Sequence, residues 1–339
     1  MSQTSTLEVS VLIVFFNRPE TLRQVFDEVR KARPSRLFLY QDGPRSETDL
    51  PAIEACRAIV EAVDWPCEVS RLYQERNLGC DPSGFIAHRW AFSMADKVIV
   101  IEDDVVPSQS FFVFCKEMLD RYEHDERVTM VAGFNTDGVT KDQPADYFFT
   151  SFMSIWGWAS WRRVAERWDP SYGFMADKHA LGLLKGLARQ RGCRSDMLEM
   201  FRQHSLSGKP YFESIYWADM LLNNGLCIMP TKNLVNNVGL SGPATHFSAD
   251  LKTMPRRLRS IFTMPRYELQ LPLKHPGYVA EDTAYKERRY KVLGWNHPLT
   301  KAAYSMEELW LNLRYGRLKH IRQAAFARVK TLMGLKRHR

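Results

Sequence analysis

The chain has 339 residues, of which 45 % are hydrophobic and 25 % charged, and its formal net charge is +8. This is the composition of an ordinary globular protein that can bury a large core. No apolar run reaches the roughly 18 residues of a membrane-spanning helix. No basic segment precedes the apolar run 9–16, so no signal peptide is expected either.

The positive charge is concentrated at the C-terminal end. Residues 301–339 hold ten Lys and Arg against two acids, Glu307 and Glu308, so residues 1–300 are formally neutral. The charge therefore gives no indication that the main domain binds nucleic acid. The six cysteines are scattered without a C-x-x-C pair, which predicts reduced core residues in a cytoplasmic protein rather than a disulfide framework or a zinc site.

Strands and helices alternate along the first 130 residues. After the first strand, Pro19 opens a helix with an apolar stripe made of Leu22, Val25, Phe26 and Val29. Further helices are predicted at about 49–63, 84–94 and 111–122, and the predicted strands cover 9–16, 37–40, 68–73, 98–101 and 128–132. The alternation predicts βαβ units and a mainly parallel sheet, hence an α/β fold.

Three adjacent acids follow the fourth predicted strand. Residues 98–101 are all β-branched, which is typical of a strand buried on both faces, and Glu102, Asp103 and Asp104 come next. Ionised carboxylates cannot be buried together without a cation or hydrogen-bond donors. Because open α/β sheets bind ligands at the carboxyl ends of their strands, these acids indicate a divalent-metal and phosphate site. A solvated acidic turn is the alternative.

Polar residues also follow the first two strands, with Asn17 and Arg18 after the first and Asp42 after the second. Neither a G-x-G-x-x-G loop nor a P-loop occurs, so neither a dinucleotide fold nor a P-loop site is supported. Three polar strand ends on one sheet edge suit a nucleotide whose base, ribose and diphosphate are contacted separately.

The second half is rich in aromatic residues. Residues 152–174 contain four of the nine tryptophans, which are either core or a platform for sugar rings. A helix is predicted over 213–222, where Asp219 lies among apolar neighbours, as a structural acid or a proton-transfer group. Strands are expected at 226–229 and 233–238, followed by a loop containing the lone His246.

The pattern weakens beyond residue 250, until a basic amphipathic helix is predicted over 307–335. Such a helix can lie on an anionic membrane surface. Packing on the main domain or on a second subunit explains it equally well.

Taken in order, these segments resemble the GT-A glycosyltransferases, and among them N-acetylglucosaminyltransferase I and the bacterial sugar transferases related to it. The likeness spans roughly residues 9–240, with one departure, because Ala218 replaces the first Asp of the family's Trp-Asp-Asp stretch. The matching segments are 11–18, 41–43, Arg89-Trp90-Ala91, 100–104 with Pro107, Phe111 and Phe112, Trp156-Gly157-Trp158, 216–220 and 225–230.

The resemblance implies a fold, a domain division and an activity. A GT-A, Rossmann-like domain would cover 1–250, divided into a nucleotide-sugar-binding half (9–135) and an acceptor and catalytic half (136–250). A connecting segment (251–300) and a basic helical tail (301–339) would follow. The implied activity is a metal-dependent, inverting transfer of a hexosyl or N-acetylhexosaminyl group from a nucleoside-diphosphate sugar, preferably a UDP-sugar, to a hydroxyl of a glycan or glycolipid acceptor.

The resemblance also implies roles for particular residues. Asp104 would bind Mn²⁺ or Mg²⁺, with His246 as a further candidate metal ligand, and Asp219 would be the catalytic base. The candidate nucleotide-sugar contacts are Asn17, Arg18, Asp42, Glu102, Asp103 and Trp158. Two alternatives remain open: a nucleotidyltransferase, whose Gly-rich loop is missing here, and a non-catalytic carbohydrate-binding protein. The basic tail suggests a cytoplasmic protein attached peripherally to the inner face of the membrane.

Overall fold

The computed structural model describes residues 6–239, 251–319 and 321. The strands of this part are β1 (Leu7–Phe15), β2 (Pro34–Gln41), β3 (Glu68–Tyr73), β4 (Lys97–Glu102), β5 (Val105–Pro107), β6 (Val128–Ala132), β7 (Tyr147–Thr150), β8 (Trp158–Trp161), β9 (Leu226–Pro230) and β10 (Val235–Asn237). Its helices are α1 (Pro19–Ala32), α2 (Leu50–Val60), α3 (Cys80–Met94), α4 (Gln109–Arg121), α5 (Arg162–Ala165), α6 (Lys178–Leu187), α7 (Arg191–Ser207), α8 (Phe212–Leu222), α9 (Arg256–Phe262), α10 (Thr283–Leu293) and α11 (Pro298–Arg314).

Eight strands form one sheet in the order β3-β2-β1-β4-β8-β6-β9-β7. Six of them run in the same direction, whereas β8 is antiparallel to both β4 and β6, and β7 is antiparallel to β9. A small second sheet pairs β5 with β10 in antiparallel fashion. The predicted α/β fold with a mainly parallel central sheet is therefore confirmed, and the arrangement is compatible with a Rossmann-like fold.

The central strands are buried because their sequences are continuous apolar runs. Val11, Leu12 and Ile13 of β1 are fully buried, and residues 98–101 of β4 are 0–1 % exposed. The predicted apolar stripe of α1 is confirmed, and the helix begins at Pro19, where a missing N–H leaves no hydrogen bond unmade. Two groups of helices cover the sheet: α1 packs with α2 and α4, and α3 packs with α5 and α8.

The tryptophan-rich segment belongs largely to the core. Trp158, Trp161 and Trp168 are 1 %, 2 % and 4 % exposed, so the core interpretation is confirmed for these three rings. Trp156 is half-buried and packs against the rings of Phe134 and Phe262, with centroid distances of 4.6 and 5.3 Å.

Some elements differ from the predictions. β7 and β8 lie where no strand was predicted, because their aromatic side chains gave no clear alternation. The predicted helix over 307–335 starts too late, because α11 begins at Pro298, and it is interrupted, because α11 ends at Arg314 and Gly316 has a left-handed φ of +68°. Residues 318, 319 and 321 are helical again, and residues 320 and 322–335 of this prediction lie outside the described residues. All six cysteines are free thiols, but Cys67 is half-buried and Cys80 is exposed, so only the other four are core residues.

Judged by length and hydropathy, none of the helices in the part of the chain that the structure describes could cross a bilayer.

The tight packing around Gly157 gives a first prediction. Gly157 has a φ of +61°, and an added Cβ would lie 2.9 Å from Val235 Cγ1. We expect Gly157→Ala to lower the free energy of unfolding by about 1–3 kcal/mol, the usual range for a strained left-handed residue, as measured by urea denaturation. Gly186→Ala is the control, because this helical glycine faces open space and alanine should there raise stability by up to about 1 kcal/mol. Equal stability of Gly157→Ala and the parent chain would contradict the argument.

Candidate functional site

The candidate site lies at the carboxyl ends of three neighbouring strands. β1 lies between β2 and β4, and Phe15 is paired with Gln41 while Val14 is paired with Glu102. The residues that follow these strands, Asn17–Arg18, Asp42 and Asp103–Asp104, therefore emerge at one sheet edge, as the sequence predicts. This edge is where ligands bind in open α/β sheets.

Arg18 joins the two aspartates at this edge. Its Nη1 donates to Asp104 Oδ2 at 2.9 Å, and its Nη2 forms an ion pair with Asp103 Oδ1. The Phe16 backbone N–H also donates to Asp103 Oδ2 at 3.1 Å. Asp103 and Asp104 are only 2 % and 8 % exposed, so a guanidinium stabilises two carboxylates that could not otherwise be buried in ionised form.

The site nevertheless carries more negative than positive charge. Burial, with added repulsion from Asp104 and Glu213, raises the pKa of Glu102 to about 8. Burial also raises the pKa of Asp103 to about 6, although Arg18 opposes this. A further cation would lower the raised pKa values of Glu102 and Asp103 and so stabilise the ionised carboxylates.

Asp104 offers an oxygen of the kind that a divalent ion binds. Among the described residues, Asp104 Oδ1 accepts one long hydrogen bond of 3.5 Å, from Asn237 Nδ2, and carboxylate oxygens are the ligands that Mg²⁺ and Mn²⁺ prefer. A Cβ on Gly239 would lie 2.1 Å from Asp104 Oδ2, so the backbone at residue 239 packs directly against this carboxylate, an approach that a glycine permits. The chemistry fits a hard cation. However, no group of three or more His, Cys, Asp and Glu side chains within 6–239, 251–319 and 321 is arranged to hold a metal.

Asp42 links the turn at Gly43 to the turn at residues 77–79 through hydrogen bonds. Its Oδ1 accepts hydrogen bonds from the N–H groups of Gly43 and Leu78, both at 2.9 Å, and its Oδ2 accepts from Asn77 Nδ2 at 2.8 Å and Gly79 N at 3.1 Å. Four donors occupy this carboxylate, and its contact with a base or ribose stays a prediction. It fixes the loop that leads into α3.

Asn17 is likewise engaged within the chain. Its Nδ2 donates to Asp49 Oδ1 at 2.8 Å, and Asp49 is also ion-paired with Arg45 at 2.7 Å. The side-chain oxygen Oδ1 of Asn17 has no hydrogen bond to the described residues. A role of Asn17 in nucleotide binding stays a prediction as well.

Glu213 is not among the site residues predicted from the sequence. It lies in the first turn of α8, near Glu102. It lies close enough to Glu102 to raise the pKa of that residue. Burial, followed by repulsion from Asp81 in the first turn of α3, raises the pKa of Glu213 itself to about 7. The predicted helix 213–222 already contained this residue, but only the packing of α8 on α3 shows which end of the helix reaches the site.

Asp219 lies elsewhere. Its Oδ1 accepts hydrogen bonds from Arg167 Nε at 3.1 Å and Asn223 Nδ2 at 2.9 Å, and its Oδ2 accepts from Arg167 Nη2 at 3.0 Å. It follows Glu213 by six positions, about 9 Å along the helix axis, and α8 ends there beside the amino end of β6, where Leu226 N donates to Arg127 O. The predicted base is thus held in an ion pair with Arg167, and its catalytic role stays a prediction.

Of the remaining two predicted site residues, Trp158 is among those that the structure describes. Trp158 is buried among His88, Phe212 and Tyr216, with ring-centroid distances of 5.1, 6.2 and 5.5 Å. This indole is closed to a ligand, so its predicted nucleotide contact is corrected to a core role. His246 lies outside the described residues.

The environment of His88 gives a pH prediction. This side chain is 1 % exposed, and burial lowers its pKa to about 3. The unfolded chain therefore binds one proton more than the native protein between about pH 6.5 and pH 3, so stability falls as the pH is lowered through this range. Between pH 6.5 and pH 5 the parent chain should lose about 2 kcal/mol more, or gain that much less, than His88→Phe, as measured by urea denaturation of both proteins. The same pH slope in both proteins would refute this account.

Comparisons with known proteins assign this chain to no family. No model of a known protein family matches the chain, and no curated protein matches it. A functional assignment therefore depends on the chemistry of the site.

Proposed function

We propose that this protein is a metal-dependent, inverting glycosyltransferase of the GT-A type. It would transfer a hexosyl or N-acetylhexosaminyl group from a nucleoside-diphosphate sugar, preferably a UDP-sugar, to a hydroxyl of a glycan or glycolipid. One observation carries the proposal: a buried acidic group with a single guanidinium, Glu102, Asp103, Asp104 and Arg18, lies at the ends of β1 and β4 and is faced by a glutamate of raised pKa.

The sheet supports the GT-A assignment without proving an activity. The order β3-β2-β1-β4 places the ends of β1 and β4 side by side, and the small β5–β10 sheet brings Asn237 next to Asp104. Folds of this kind host many functions, so the proposal depends on the side chains.

The acidic edge would bind the diphosphate end of the donor. Asp104 would hold Mn²⁺ or Mg²⁺ through Oδ1, and the ion would neutralise the charge that grows on the departing diphosphate. Arg18, fixed by two carboxylates and 26 % exposed at its side chain, would place a second positive charge at the same edge. Asp103 would then act mainly by orienting Arg18.

Glu213 would accept the proton of the acceptor hydroxyl. A base is most effective when its pKa lies near the working pH, and burial brings the pKa of Glu213 to about 7. The two carboxylates then have separate tasks because their surroundings differ: Asp104 is paired with a guanidinium, whereas Glu213 lies in a buried, negatively charged environment. The C1–O bond to the diphosphate breaks as the hydroxyl oxygen attacks from the opposite face.

A panel of nucleotides tests the proposal. Thermal unfolding of the purified chain would be followed with UDP, GDP, CDP and dTDP, each with and without Mn²⁺, and with the matching triphosphates. At a ligand concentration of about 100 Kd, one diphosphate should raise the unfolding free energy by about 2.7 kcal/mol, and only with Mn²⁺. UDP is the expected ligand.

The other results distinguish the alternatives. A preference for a triphosphate would favour a nucleotidyltransferase over a glycosyltransferase. No stabilisation by any nucleotide, with or without Mn²⁺, would overturn the proposal and favour a non-catalytic protein.

A further inference from the structure

Helix α11 packs on the domain through a mainly polar side and leaves an apolar side exposed to solvent. On the inner side, Leu311 and Asn312 are buried, and Tyr304 donates its hydroxyl to the Val292 carbonyl of α10 at 3.0 Å. Glu307 accepts a hydrogen bond from the backbone N–H of Arg256 at the start of α9. These contacts fix the helix against α9 and α10 and so determine which side faces solvent.

The outer side is a continuous apolar surface. Its large side chains recur at the spacing of one helix face, and Ala302 and Ala303, both exposed, lie between them. The helix has 17 residues, about 25 Å, and this face runs over most of that length without a charged side chain. We call it the α11 apolar face; its large members, 46–84 % exposed, are Leu299, Met306, Leu309, Trp310 and Leu313.

Such a surface is unusual for a helix packed on a globular domain. Single exposed leucines are common, but a contiguous row of this length marks a contact with a partner or a membrane. The described residues place nothing over it. The edges of the face indicate the chemistry of an occupant.

The edges are cationic and aromatic. Arg314 is exposed and lies over the Trp310 ring with its guanidinium carbon 5.1 Å from the centroid. Tyr315 and Lys319, directly after the helix, are exposed too. Apolar side chains with tryptophan or tyrosine and flanking cations match the interface of an anionic bilayer.

A second copy fits this surface less well. In a twofold dimer the same patch meets itself, and the face carries no acidic side chain that could pair with Arg314 of the other copy. Anionic lipid headgroups, in contrast, complement the charges of Arg314 and Lys319.

We propose that the α11 apolar face binds an anionic lipid bilayer, with Leu309, Trp310 and Leu313 in the interface and Arg314 and Lys319 at the headgroups. The site overlaps the first residues of the predicted basic helix over 307–335, but it uses the apolar side of α11 and not the basic side chains further along the tail. It is independent of the proposed transferase activity.

The test is vesicle flotation of the full chain. Vesicles of phosphatidylcholine alone are compared with vesicles that also contain phosphatidylserine, and the bound fraction should be higher with the anionic lipid. A triple variant, Leu309→Ser, Trp310→Ser and Leu313→Ser, should partition about tenfold more weakly or worse. The matched control is Leu206→Ser on α7, since Leu206 is 74 % exposed but lies outside the face, and it should bind like the parent chain.

Two further readouts make the outcome decisive. The fluorescence difference between the parent chain and Trp310→Phe reports this one indole, and it should shift to shorter wavelength when anionic vesicles are added. Thermal unfolding tests whether the triple variant is folded. Because all three substituted side chains are exposed, its unfolding temperature should be close to that of the parent chain.

The proposal is overturned if the parent chain does not float with anionic vesicles, or if the triple variant binds as the parent does. It is also overturned if sedimentation shows a parent dimer that the triple variant converts to monomer without any lipid binding, since the occupant would then be a second copy.

Discussion

Glu213→Gln is expected to lower kcat by about 10²–10⁴-fold, the usual contribution of a positioned general base. The amide keeps the size of the side chain but cannot take up the acceptor's proton. Nucleotide affinity should change little, since the proposed diphosphate contacts are Asp104 and Arg18. The measurement is steady-state transfer with the donor identified by the nucleotide panel, together with the thermal shift caused by that nucleotide.

The pH profile adds a second readout for Glu213. Because burial raises the pKa of Glu213 to about 7, the ionised base is lost as the pH falls below 7, and kcat/KM should fall with it. Asp219→Asn is the matched comparison, since Asp219 lies on the same helix in an ion pair with Arg167. Full activity in Glu213→Gln together with a large loss in Asp219→Asn would reverse the assignment in favour of the base predicted from the sequence.

Asp104→Asn is expected to abolish the Mn²⁺-dependent part of nucleotide binding. The loss should be at least about 100-fold, because even residues that only orient a metal ligand are worth about 10–100-fold. The folded state should persist, since Arg18 retains its ion pair with Asp103. Titration of the thermal shift with UDP at fixed Mn²⁺ measures the effect.

A remote aspartate serves as the control for that variant. Asp125 is paired with Arg127 at 2.7 Å beside the amino end of β6, so Asp125→Asn changes charge without touching the candidate site. Equal loss of binding in both variants would mean that net charge matters and that Asp104 has no particular role.

The first half of the chain was predictable because its structure is local. Residues 98–101 can only be a strand buried on both faces, and Leu22, Val25, Phe26 and Val29 can only be one face of a helix. Both patterns follow from side-chain spacing alone, and both are present in β4 and α1. The three polar strand ends follow from the same reasoning, because parallel strands finish at one edge.

The second half was less predictable because its structure depends on long-range packing. The aromatic residues of β7 and β8 show no alternation, and β8 is stabilised as a strand by insertion between β4 and β6. The family resemblance implied a nucleotide contact for Trp158, yet its neighbours in space are core rings. The end of α11 at Arg314 depends on the backbone conformation of Gly316, which the apolar spacing of the tail did not reveal.

The choice between Asp219 and Glu213 shows the same limit at the site. Both acids lie in one predicted helix, and sequence spacing gives their separation but not the direction in which the helix runs across the sheet. Arg167, which pairs with Asp219, is 52 residues away in the chain. Only packing identifies such a partner.

The position of β8 has a consequence for how the chain is made. β6 is fully buried in the sheet, and its strand partners there, β8 and β9, both come later in the chain. At a synthesis rate of about 5–20 residues per second, the ribosome needs roughly one to five seconds to extend the chain from the end of β6 to the start of β8. During that interval the strand lacks both neighbours and exposes apolar edges that favour aggregation, so protection of the nascent chain matters most in this interval.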